Sequence, residues 1–104
     1  MRFALLLALI VIVAMLASAA RAQEPTEEGK RSFMHNGCYG CHVVGKMGTP
    51  IGPDLSHVGA KYSRAYLERW LKDPSAQRPN AHMPTLELSD QQAKALAAFM
   101  SSLR

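Results

Sequence analysis

The sequence predicts an all-α fold of three to four short helices joined by long loops. Apolar residues recur at helical spacing in three places, and no convincing strand run interrupts them. The stretches between are rich in glycine and proline. With 104 residues, 48% of them hydrophobic and 19% charged, the chain fits one small domain and excludes most large enzyme folds.

The chain opens on a targeting pattern. Arg2 precedes the apolar run Phe3–Met15, then small residues lead to Ala20-Arg21-Ala22-Gln23, an Ala-x-Ala cleavage signal. Residues 1–22 are therefore expected to be a cleaved secretory signal peptide, leaving 23–104 as the working domain. The alternative is an uncleaved anchor, because Phe3–Ala20 is 18 mostly apolar residues, near the lower limit for spanning a bilayer. The small-residue tail favours cleavage. Without Arg2 and Arg21, ten basic and eight acidic side chains remain. They are interspersed rather than gathered into a stripe, so no nucleic-acid partner is expected.

Each helix carries its own signals. Glu27–His35 forms the first, with Glu27 and Glu28 at its positive end and Gly37 closing it. Ser63–Lys72 forms the second, capped by Ser63 and ended ahead of Pro74, which disfavours helical backbone at Asp73. Tyr62, Tyr66 and Trp70 make an i, i+4, i+8 stripe there, expected to pack in the core. The last helix begins with the capping box Ser89-Asp90-Gln91-Gln92 and continues with Ala93, Leu96, Ala97, Met100 and Leu103 on one stripe.

The loops His42–Tyr62 and Asp73–Leu88 are long for so small a domain. A chain of this size buries only about 60–65% of its unfolded surface, so something should supplement the core. Cys38 and Cys41 are the only cysteines, and one short loop between them would constrain the unfolded chain little. Disulfides are not that supplement.

The two cysteines stand in Cys38-Tyr39-Gly40-Cys41-His42, the Cys-x-x-Cys-His pattern of covalent haem attachment. Positions i, i+3 and i+4 share a helical face, so both thiols and the imidazole can address one planar ligand. Two thiols at this spacing can add to the two vinyl groups of a porphyrin, with His42 below the iron and Gly40 leaving room for the ring. A thioredoxin-like dithiol would be expected beside a βαβ pattern. A zinc site would have to recruit His42 and a distant histidine such as His57. Haem explains the loops as well, since each can cover a face of a ring too large for the helices.

From about Thr26 to Leu103 the chain resembles the class I, or monohaem, c-type cytochromes. The resemblance rests on Gly29-Lys30-Arg31-Ser32-Phe33, the haem motif, Gly52-Pro53-Asp54-Leu55 and His82-Met83-Pro84, in that order. It implies the small cytochrome c fold around one covalent haem c, in which the last helix crosses the first so that Gly29 and Phe33 meet Leu96 and Phe99. It also implies that the Pro53 carbonyl accepts a hydrogen bond from His42, where the residues alone read as a turn.

A second axial ligand is needed opposite His42, and a thioether favours ferrous iron. Met34, Met47, Met83, Met100 and His82 are the candidates. Met47 is too close to His42, and Met100 falls on the apolar face of the last helix. Met83 lies 41 residues beyond His42 in a proline-rich loop, long enough to wrap the haem edge. The family resemblance also points to Met83. His35 and His57 read as surface histidines. Tyr62, Trp70 and Arg78 are candidate contacts for the haem propionates.

The function implied is one-electron transfer rather than enzymatic catalysis, with electrons crossing near Cys38, Cys41 and the Met83 loop. Redox-partner proteins such as a dehydrogenase, reductase or terminal oxidase would dock transiently. The protein would be exported, to the periplasm in a bacterium, and would meet a membrane only through partners or an uncleaved leader. Alternatives are a haem subunit of a specific dehydrogenase or oxidase complex, or a peroxidase or gas sensor if Met83 dissociates. Two propionates and a ferric porphyrin core would bring the domain charge to about +1 oxidised and 0 reduced.

Overall fold

Ser63 and Ser89 start the two best-defined helices. In the computed structural model, which describes the backbone throughout and side chains for all but residues 22–24, Ser63 Oγ accepts from Tyr66 N–H at the head of α3, Arg64–Lys72. Ser89 and Gln92 form a reciprocal capping box at the head of α5, Asp90–Ser102. Two orphan amides are thus satisfied at the head of α5 by side chains already present in the local sequence.

The first helix is longer than expected. Instead of Glu27–His35, α1 runs continuously over Arg2–His35, with Pro25 inside it. The leader is rich in Ala and Leu, good helix formers, and the helix runs on through Pro25 up to Asn36 although an interior proline disfavours it. Gly37 then takes the left-handed conformation at φ 72°, which a glycine adopts without steric cost. From Phe3 to Leu16 the large apolar side chains of α1 are exposed and pack on nothing. Burial begins with Gly29 and Phe33.

Helices α1, α3 and α5 enclose one core of Phe33, Leu67, Leu71, Leu96, Ala97, Phe99 and Met100, with Val58 beside it. A methyl group on Gly29 would collide with the Ala95 carbonyl and the Phe99 side chain, so this glycine permits the close approach of α1 and α5. Phe33 lies edge-on to Phe99 at 5.4 Å between ring centroids, an arrangement aromatic rings prefer. Lys72 and Asp90 add a 2.7 Å ion pair between α3 and α5.

The two long loops hold short elements that periodicity does not reveal. A minimal antiparallel hairpin pairs β1, Val43–Val44, with β2, Met47–Gly48. One helical turn each forms at α2, Val58–Lys61, and α4, Pro74–Gln77. Gly59 N–H donates to Leu103 O at 2.7 Å, fastening α2 under the end of α5.

The aromatic stripe of α3 departs from expectation. Tyr62 is 37% exposed and Tyr66 and Trp70 are half-buried, while Leu67 and Leu71 take the core positions. These leucines stand one residue further along, about 100° around the helix. The stripe therefore faces a cavity beside the core rather than the core itself.

Candidate haem site

Immediately after α1, Cys38–Gly40 forms a single 3-10 turn, closed by Cys41 N–H to Cys38 O at 3.2 Å and His42 N–H to the same oxygen at 2.9 Å. The motif is thus one tight turn in which the two thiols and the imidazole are neighbours. Cys38 is half-buried and Cys41 exposed, both as free thiols. Burial pushes the Cys38 thiol pKa up, and the neighbouring Cys41 adds to the shift. A Cβ placed on Gly40 would meet nothing within 4 Å, so the chain leaves open space on that side of the turn.

His42 is held from behind. Its Nδ1 lies 2.7 Å from the Pro53 carbonyl. A carbonyl only accepts, so Nδ1 carries the proton and the lone pair resides on Nε2. Gly52 closes the other flank, because a Cβ there would stand 2.7 Å from His42 Cε1. Gly52 N–H returns to Cys41 O, and Leu55 N–H donates to Val43 O at 2.8 Å, tying the Gly-Pro turn to the strand that follows His42. Hydrogen bonds from Ser56 hold the Asp54 carboxyl below its ordinary pKa. Ser56 Oγ also accepts from Gly45 N–H, so this segment braces the hairpin.

Beside His42 opens a cavity of about 610 Å³, walled by the Cys41-to-Leu55 segment, the aromatic stripe of α3 and the Arg78-to-Pro84 loop. A smaller hollow of about 40 Å³ lies among Cys38, His42, Trp70 and Met83. Of the candidate sulfurs, Met83 and Met100 line these spaces, whereas Met34 and Met47 are 57% and 56% exposed. His82 lines the cavity next to Met83, and His35 and His57 lie at the surface. At the rim, Arg78 Nη2 donates to Tyr62 Oη at 3.4 Å. The Trp70 Nε1–H points instead at Met83 Sδ, 3.2 Å away.

Two features are hard to find in the sequence. Gly52 belongs to a segment that carries the family resemblance, but nothing in the sequence says that it seats the imidazole. The Trp70–Met83 contact spans 13 positions, through the end of α3 and the α4 turn, and has no local signature.

A helical domain whose Cys-x-x-Cys-His turn opens onto a mostly apolar cavity of this size is built as a haem c protein. The sequence model of the cytochrome c family matches residues 26–104. The chain belongs to that family, as a class I c-type cytochrome. It is also 33% identical over 99 residues to cytochrome c oxidase subunit 2 of Alkalihalophilus pseudofirmus, a match covering 83% of this chain and 29% of that protein. The chain thus spans less than a third of that relative.

The family implies haem c, and the residues present fit it. The cavity lies within the roughly 300–1,000 Å³ range of cofactor sites. Its walls and those of the smaller hollow bring two free thiols, an imidazole with its lone pair fixed on Nε2, and a thioether to one place. Soft sulfur and imidazole donors suit haem iron.

Proposed function

We propose that this protein is an exported one-electron carrier holding a single, covalently attached haem c. The observation that carries the reading is the His42–Pro53 hydrogen bond at the wall of the cavity, which readies Nε2 as a metal donor next to two free thiols. Cys38 and Cys41 would hold the porphyrin through thioether bonds, each thiol adding its S–H across a vinyl group. His42 would ligate the iron through Nε2, with Pro53 fixing its tautomer and raising its donor strength. Met83 would supply the second iron ligand. When bound, the haem supplies a ferric–ferrous couple near the protein surface.

The chain's own residues perform the rest. Two protein ligands leave no coordination position for substrate. The walls Leu55, Val58, Leu67 and Met100 exclude water, which limits solvent reorganisation as charge changes. Tyr62 and Arg78 at the rim offer donors suited to the propionates. Cys41, exposed at the surface, marks where a redox partner would approach closest. Residues 1–22 serve as the export signal, removed to leave 23–104, and the compartment is the periplasm in a bacterium.

A second reading has its own support. The relative is an oxidase subunit, and α1 includes a stretch long and apolar enough to cross a membrane. If the leader is retained, the same domain would serve as a tethered haem unit of an oxidase complex. The test is purification of the exported protein from its native membrane and soluble fractions. A processed, soluble haem protein bears out the carrier. A full-length form co-purifying with a larger catalytic subunit supports the complex. A product without haem after denaturing electrophoresis contradicts both.

A further inference from the structure

Two adjacent side chains of the Arg78-to-Leu88 segment, His82 and Met83, carry donors suited to iron. Both line the cavity of about 610 Å³, Met83 half-buried and His82 exposed to solvent. The backbone that carries them is lightly tied. Asn80 to Met83 lie between Pro79 and Pro84 and outside every regular element. The segment's backbone bonds are local, Ala81 N–H to Arg78 O and Leu88 N–H to Leu86 O, both 3.0 Å. Among the described residues, side-chain bonds to the rest of the fold come from Arg78, at its start, and from the Met83 sulfur itself. Freeing the sulfur therefore frees the chain around it. Apart from the attachment turn, the other amine and thioether donors at the cavity stand on fixed backbone: Lys61 on α2, fastened to α5 through Gly59, and Met100, 4% exposed within α5.

We infer that His82 is a reserve iron ligand: when the Met83 thioether is lost as a donor, the released loop turns the neighbouring imidazole onto the same iron position. The inference rests on the ligand reading above. Successive side chains of a non-helical chain point to different sides, so one of the pair is seated while the other is turned away. The exposure of His82 beside half-buried Met83 fits that alternation. The imidazole stays tethered at the mouth of the cavity, where its effective concentration is about millimolar or higher. Exchanging thioether for imidazole removes the donor that favours ferrous iron, so the His82 form has a lower reduction potential. A protein deprived of its thioether would thus stop carrying electrons at its normal potential without opening the iron to peroxide or a gas.

The test compares ferric Met83→Ala and Met83→Ala/His82→Ala holoproteins by visible absorption and electron paramagnetic resonance. Met83→Ala should lose the iron–methionine band yet stay low-spin, with two nitrogen axial ligands and a lowered potential. The double variant should turn high-spin and bind cyanide at about tenfold lower concentration, the ratio expected when His82 holds the iron in about 90% of molecules. Oxidising the folded protein with hydrogen peroxide gives the same reading without altering Met83. There the O–O bond breaks as one oxygen atom bonds to sulfur, which loses two electrons to become the sulfoxide, and water leaves. The oxidised protein should remain low-spin and oxidised His82→Ala should not. A high-spin Met83→Ala protein would overturn the inference, as would a low-spin state that survives His82→Ala, which would point to Lys61. If the iron–methionine band persists in Met83→Ala, the ligand reading itself fails and the inference falls with it.

Discussion

Where α1, α3 and α5 meet, protein packs on protein: Phe33, Leu71 and Leu96 are essentially inaccessible and Phe33 sits edge-on to Phe99. On the opposite side, the loops between Cys41 and Leu55 and between Arg78 and Pro84 turn their side chains toward a cavity of about 610 Å³. The first side is complete with the twenty amino acids alone. The second is a set of walls around a space suited to the haem that the family implies, so its order would depend on that group. On the proposed reading, the contrast accounts for such long loops in so small a domain, since covalent and axial bonds to haem would replace apolar mass that the chain lacks.

The largest expected effect breaks the cavity side. Cys38→Ser/Cys41→Ser protein, unable to fix haem, should lose its cooperative thermal transition by calorimetry, with residual helicity confined to segments of α1 and α5. A native-like melt of that variant would mean the loops do not need the haem. Next comes the packed side. Leu96→Ala removes a fully buried side chain between α1 and α5 and should cost about 2–5 kcal/mol in denaturant unfolding of the holoprotein. Its haem spectrum should be unchanged below the transition, because Leu96 does not line the cavity.

A subtler change probes the joint between the two sides. Gly52→Ala places a methyl 2.7 Å from His42 Cε1 and should tilt the imidazole off the Pro53 carbonyl. The expected outcome is a shifted reduction potential and reduced haem incorporation, with helix content preserved by circular dichroism. The smallest effect is electrostatic. The Lys72 bond holds the Asp90 carboxyl below its ordinary pKa. A depressed folded-state pKa contributes stability above the unfolded value that is lost as pH falls through the folded one. Asp90→Asn should therefore flatten the acid limb of the stability profile slightly and leave the neutral plateau almost unmoved, since exposed pairs contribute little.

What the sequence discloses follows the same division. Ser63, Ser89 and Gln92 announce their helices because capping is local, and Cys38, Cys41 and His42 form a motif within one turn. The meeting of Gly29 with α5 and of His42 with Pro53 is reached only through family resemblance, because loops of irregular length separate the partners. The aromatic stripe illustrates why periodicity is insufficient. It identifies a helix face, but Leu67 and Leu71 compete for the core and turn Tyr66 and Trp70 to the cavity. The continuation of α1 through the leader escapes notice for the opposite reason, since an apolar run read as an address is also a good helix.

The central claim is that the cavity side is completed by one haem fastened at Cys38 and Cys41 and ligated by His42 and Met83. Optical spectra of the exported protein, ferric and ferrous, test it most directly when taken beside Met83→Ala. Low-spin c-type bands are expected in both oxidation states, with a ferric iron–methionine band that disappears in the variant. Absence of low-spin haem bands, or persistence of that methionine band in Met83→Ala, would contradict it.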